Sequence, residues 1–146
     1  MIYAKCIFKK QIAKSEEEFV TRQKGEEHTV YLEGAEVKGN LSCVPLNCIF
    51  QCLSYGDSMA IISQSDEIKK NKNYITEYKI NAVPVKYQID SNKQKIEKIL
   101  DLRKKETIDF ILNEVGDSKK IELMCGLEDY IGKETFDYLC SKLKMI

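Results

Sequence analysis

The chain has 146 residues, of which 43% are hydrophobic and 32% charged, enough apolar mass for a packed core and too much of it for intrinsic disorder. Basic and acidic side chains number 23 each, for a formal net charge of zero, so any electrostatic bias must lie in how charge is distributed. No stretch nears the ~18 consecutive apolar residues of a membrane span, and Lys5, Lys9 and Lys10 interrupt the N-terminal apolar run, so neither a span nor a signal peptide is expected and the expected location is cytoplasmic.

In chain order, Ile2, Ala4, Cys6 and Phe8 alternate with Tyr3, Lys5, Ile7 and Lys9, a period of two that predicts a strand with the first set turned to the core. Ser15 and Glu18 make a capping box and Gly25 a stop, so a short helix is expected between them. Thr29 to Leu32 reads as a second strand, joined through a Gly39-Asn40 turn to Leu41 to Val44. The stretch from Leu41 to Ser63 is the densest in core-forming residues and holds three of the six cysteines. Pro45 suits the first turn of a helix. Leu46, Ile49, Phe50 and Leu53 then form one apolar stripe, Gly56 can end the helix, and Met59 to Ile62 is a strand buried on both faces.

Gln64 to Asn73 is polar and lysine-rich, a solvated loop by composition. Tyr74 to Ile80 and Val83 to Ile89 alternate as strands on either side of Asn81-Ala82, with Pro84 pushing the second toward an edge or a bulge. Asp90-Ser91-Asn92 reads as a strand end and helix cap. A helix is expected from Lys93 to Val115, closed by Gly116, with the charged run Arg103 to Glu106 as its weak point. Ile121, Leu123 and Cys125 fit a strand or a helix start. Phe136, Leu139, Cys140 and Leu143 fit a last amphipathic helix. The expectation is a single α+β domain over residues 1–146, with an antiparallel or mixed sheet in the first two thirds, helices packed on one face and a helical last third.

Six cysteines lie in apolar surroundings of a chain long enough to fold without staples, so reduced thiols are expected. Cys43, Cys48 and Cys52, spaced C-x4-C-x3-C, could offer thiolates to a tetrahedral zinc. They lack a C-x2-C knuckle, and free cysteine is a common core residue, so the expectation is no metal and no other cofactor. The run Asn47-Cys48-Ile49-Phe50-Gln51-Cys52-Leu53 resembles the Asn-Cys-Leu-Phe-Arg-x-Leu element of ovarian-tumour-type cysteine proteases. That resemblance implies Cys48 as a nucleophile at a helix start, activated by the helix dipole and a histidine. Pro45-Leu46 stands where the family has Asp-Gly, and the single histidine, His28, lies upstream of Cys48 rather than downstream. A Cys48–His28 pair would therefore need a permuted topology. On a helix wheel Cys48 lies opposite the apolar stripe, which predicts exposure. With one histidine and no tryptophan, an enzyme is the less favoured class.

Charge is uneven. From Lys69 to Lys105 eleven Lys or Arg face four acids, and Tyr74, Tyr78 and Tyr87 are interleaved, a pattern a nucleic-acid-binding module could use. After Lys105 five lysines face nine acids. Asp109, Glu114, Asp117, Glu122, Glu128, Asp129, Glu134 and Asp137 there form an expected partner-binding surface for a basic protein. In size, single-domain organisation and lack of catalytic motifs the chain is similar to the immunity proteins encoded beside bacterial polymorphic toxins. The likeness implies a small inhibitor that neutralises a toxin or enzyme by covering its active site. The expected partner is thus a protein, a cognate toxin being one, with no membrane and with nucleic acid as the alternative. Oligomeric state is left open.

Overall fold

The computed structural model describes residues 2–22, 26, 28–53, 56–63, 76–80 and 83–143. Six strands come first: β1 (Tyr3–Ala13), β2 (Glu16–Val20), β3 (Glu36–Pro45), β4 (Ser58–Ile62), β5 (Thr76–Ile80) and β6 (Val83–Asp101), with a 3₁₀ helix, Leu46–Gln51, between β3 and β4. Three helices follow: α1 (Lys105–Val115), α2 (Leu127–Ile131) and α3 (Lys133–Lys142). Each strand pairing is antiparallel, so the fold is α+β as its sequence order implies.

β6 is 19 residues long and serves three partners in turn. Its start pairs with β5, its middle with β3 and its end, Ile96 to Asp101, with β4. Both β3 and β4 also pair with β1, so the ladder β1–β3–β6–β4 returns on itself. Closure of this kind satisfies both edges of β4 and leaves two faces, one enclosed and one outside. Tyr3, Ile7, Leu41, Cys43, Ile62 and Ile96 pack in the enclosed cluster. Ala4, Cys6, Val44 and Met59 face the other way, against the 3₁₀ helix and the helical layer, where Phe50, Ile108, Ile111, Leu127 and Leu139 are buried. β4 is buried along its whole length, because each of its faces meets one of these clusters. The expectation that only Ala4, Cys6 and their set face a core is therefore corrected: β1 is buried on both faces from Tyr3 to Ile7.

Several local expectations are overturned. Ser15 to Gly25 is no helix at its start; Glu16–Val20 is a strand whose Phe19 and Val20 pair with Lys9 and Phe8. Two apolar residues are too few to bury a helix face, whereas a ladder gives each residue a cross-strand partner. Thr29 to Leu32 contributes only a bridge from Tyr31 to Phe19. Gly39-Asn40 is not a turn between strands but part of β3, at a register shift between Lys38 and Leu41, where Gly39 takes φ 145°. Pro45 closes β3, and the segment after it is 3₁₀ rather than α. Gly56 has another purpose than ending a helix: a Cβ there would fall on the backbone carbonyl of Ile7, so glycine lets the chain cross β1 at close range.

The helix expected from Lys93 begins only at Lys105, because β6 continues to Asp101. Ile96, Ile99 and Leu100 mimic a helical stripe, but the same spacing arises in a strand with a register shift, which β4 and β6 show at Ile61 and Ile62. Gly116 does close α1, its N–H bonding the Leu112 carbonyl. Residues 121–124 are neither strand nor helix, and the last amphipathic helix is present as α3. The loop expected over Gln64 to Asn73 and the Asn81-Ala82 connection lie outside the described residues. Among the described residues no helix is long and apolar enough to cross a membrane.

Candidate functional site

The helical layer spends its apolar side chains on the sheet, so its polar residues are left on the outer surface. All eight acids proposed from sequence, Asp109, Glu114, Asp117, Glu122, Glu128, Asp129, Glu134 and Asp137, are exposed, six of them on the three helices and Asp117 and Glu122 on the connection between α1 and α2. Four have structural partners. Asp109 accepts a 2.6 Å hydrogen bond from the Tyr138 hydroxyl, which with partial burial raises the phenol above its usual range. Glu122 accepts from Gln51 Nε2 at 2.6 Å, Glu134 lies 3.1 Å from Lys105 Nζ, and Asp117 accepts from the Lys119 backbone N–H at 3.0 Å. Glu114, Glu128, Asp129 and Asp137 make no ion pair among the described residues. Burial pushes the Cys140 thiol up, and Asp137 and Glu128 add to it, a sign that their field overlaps on this side of α3. The helical part of the chain therefore carries exposed negative charge over a packed apolar core.

The cysteines do not converge. Cys43 belongs to the enclosed cluster, whereas Cys48 and Cys52 lie in the cluster under the helices, and among the described residues no group of three His, Cys, Asp or Glu side chains is placed to hold a metal. Cys48 is 2% exposed, against the exposure read from an α-helical wheel, because the 3₁₀ segment is packed on all three of its rows, with Leu46 and Ile49 on one, Phe50 on the second and Cys48 on the third. His28 is exposed, in the connection before β3. In the same cluster the Cys6 thiol is pushed well up by burial and by Cys52 beside it.

Sequence reasoning missed a buried polar network. Lys5, in the middle of an apolar strand, is an ion pair with Glu26, their side chains 1% and 3% exposed. Lys5 Nζ also donates to the Tyr31 hydroxyl at 2.9 Å, which donates to Glu26 at 2.9 Å. Ser42 Oγ donates to the other Glu26 oxygen at 3.1 Å. Burial lowers the Lys5 pKa, partly offset by Glu26; burial and Glu26 raise Tyr31. The signal available was that Lys5 shares its strand face with Tyr3 and Ile7, large apolar neighbours unusual on a face left to solvent. Nearby Gln94 is fully buried, donating to the Ser42 carbonyl at 3.1 Å, with its Oε1 unpartnered among the described residues.

Of the basic stretch, Lys95, Lys98, Arg103, Lys104 and Lys105 are exposed. Arg103 is matched to Asp57 and Asp101, Lys93 to Glu36 and Lys105 to Glu134. Among its described side chains Lys95, Lys98 and Lys104 make no ion pair, while the other three are matched locally. A cleft of about 870 Å³ lies between Lys9 and Phe19 on the β1–β2 hairpin and the corner from Ile99 to Thr107. No protein-family model, curated protein or solved structure matches this chain.

Proposed function

We propose that the protein is a protein-binding inhibitor of the immunity-protein kind, which neutralises a toxin or enzyme by laying the acidic outer face of α1, α2 and α3 over a basic active site. The observation that supports this reading is that all eight acids are exposed, six of them on α1, α2 and α3, whose apolar residues pack in the core. Like-signed charge on a rigid surface steers an oppositely charged partner and raises its association rate by ~10-fold to 1000-fold at low salt. Burial of Cys48 supports binding over thiol catalysis.

The test is capture from the cells that make the protein, using wild type, a Cys48→Ala variant and a variant with Glu114, Glu128, Asp129 and Asp137 changed to Lys. One stoichiometric partner held by wild type and Cys48→Ala, lost with the charge-reversed surface and released by salt, is the expected result. The captured partner should lose its activity when the wild-type chain is added back. Equal capture by the charge-reversed variant would overturn the assignment of the face.

A further inference from the structure

We propose that Cys6 and Cys52 are a redox-sensitive lock: in a thiol–disulfide buffer the fold selects this pair for a disulfide that ties β1 to the exit of the 3₁₀ helix. The inference rests on where the thiols sit and is independent of the helical face.

The two side chains meet at one carbonyl. The Cys6 thiol donates to the Ile49 carbonyl oxygen at 3.7 Å, and the Cys52 backbone N–H donates to that same oxygen at 3.1 Å. The Cys52 thiol lies beside the Cys6 thiol and donates to the Cys48 carbonyl at 3.7 Å. Both residues belong to the cluster under the helices, Cys6 2% and Cys52 4% exposed. Cys43 is in the other cluster, Cys125 is exposed and Cys140 is half-buried on α3.

Closing the bond disturbs the packing little. Two thiols in contact need only draw together to ~2 Å between sulfurs, and the S–H groups that disappear are weak donors. Ile49 keeps the Cys52 N–H on its carbonyl, so that acceptor is not orphaned. The bond would hold the chain just ahead of Gly56, where a Cβ would fall on the Ile7 carbonyl of β1. It thus secures the closest crossing in the fold. A closed loop of about 45 residues removes enough entropy from the unfolded chain to raise the melting temperature by ~10 °C.

Burial sets when the exchange takes place. Thiols this enclosed meet an oxidant only while the chain is folding, before the helical layer covers them. The oxidant is a low-molecular-weight disulfide such as oxidised glutathione. One cysteine thiolate attacks it and releases a glutathione thiolate; the second attacks the resulting mixed disulfide and releases another. The pair gives up two electrons and two protons, and these appear in two glutathione thiols.

The test is refolding of the full, reduced chain from urea into a buffer of reduced and oxidised glutathione, followed by alkylation in denaturant, intact mass and peptide mapping. The expected product is lighter by two hydrogen atoms before alkylation, has Cys6 joined to Cys52 and its other cysteines alkylated, and melts ~10 °C above the reduced protein. The same buffer with urea retained is the control, since an unfolded chain favours the shortest loops, those among Cys43, Cys48 and Cys52. Cys52→Ser should abolish the bond. Should that variant fail to fold, the wild-type map against the urea control decides alone. A refolded chain with every thiol free, a bond between any other pair, Cys6–Cys52 equally abundant in urea, or a bonded form that melts below the reduced one would each overturn the proposal.

Discussion

Glu26→Gln is the sharpest probe of the enclosed polar network. The change keeps the side chain's shape and its capacity to accept from Tyr31, but it removes the charge opposite Lys5, whose side chain is 1% exposed. Removing one member of a buried ion pair leaves the other as an uncompensated charge, at a cost of about 3–5 kcal/mol. For a chain of this size each kcal/mol corresponds to about 2–4 °C, so the melting temperature should fall by about 6–20 °C. Lys5→Met/Glu26→Gln removes both charges and should recover a substantial part of the loss, a non-additivity that a double-mutant cycle by urea unfolding measures directly. The pH dependence has a defined sign. Burial lowers the Lys5 pKa, and Glu26 is what opposes that fall. Without Glu26's charge, folded Lys5 releases its proton at lower pH than the unfolded chain, for which 10.5 is the reference. The unfolded state then binds more protons, so the variant's deficit should narrow as pH rises toward that value. A Glu26→Gln cost below about 1 kcal/mol, or strict additivity in the cycle, would refute the network as drawn.

Tyr31 titrates in the opposite sense: its folded pKa is raised above 10.0, so its contribution is complete below that pH and is lost above it at up to ~1.4 kcal/mol per pH unit. Tyr31→Phe should flatten that part of the alkaline stability curve, and an unchanged slope would refute the assignment. Thiol labelling of the native protein should modify exposed Cys125 first and half-buried Cys140 more slowly, leaving Cys6, Cys43, Cys48 and Cys52 protected until unfolding; early reaction at Cys48 would revive a nucleophile there. Gly56→Ala places a methyl group on the Ile7 carbonyl and should cost about 1–3 kcal/mol or more by thermal unfolding; a neutral result would mean that the chain does not cross β1 so closely.

The α+β order was legible because hydrophobic periodicity survives wherever one face of an element is buried. Met59 to Ile62 read correctly as a strand covered on both sides, as did the run of α3. What escaped reading was long-range. The alternation in β1 assigns one face to the core, but the return of β3 and β4 onto it buries Lys5 and Tyr3 as well. The extension of β6 through Lys93 to Asp101 was hidden because its register shift spaces Ile96, Ile99 and Leu100 as a helix would. Only the pairing with β4 decides between them. Cys48 was misplaced because the 3₁₀ segment is packed on every row, whereas a wheel with one apolar stripe assumes an open side. Of the candidate surface, the acids were readable one by one. That six of them lie on helices whose apolar residues enter the core required knowing where those helices begin and end.

The most direct measurement of the central claim is hydrogen–deuterium exchange of the chain alone and bound to its captured partner. Slowed exchange concentrated in α1, α2 and α3, with β5 and the start of β6 unchanged, is the result the account predicts. Protection confined to the basic strand region, with the helical layer exchanging as in the free protein, would contradict it.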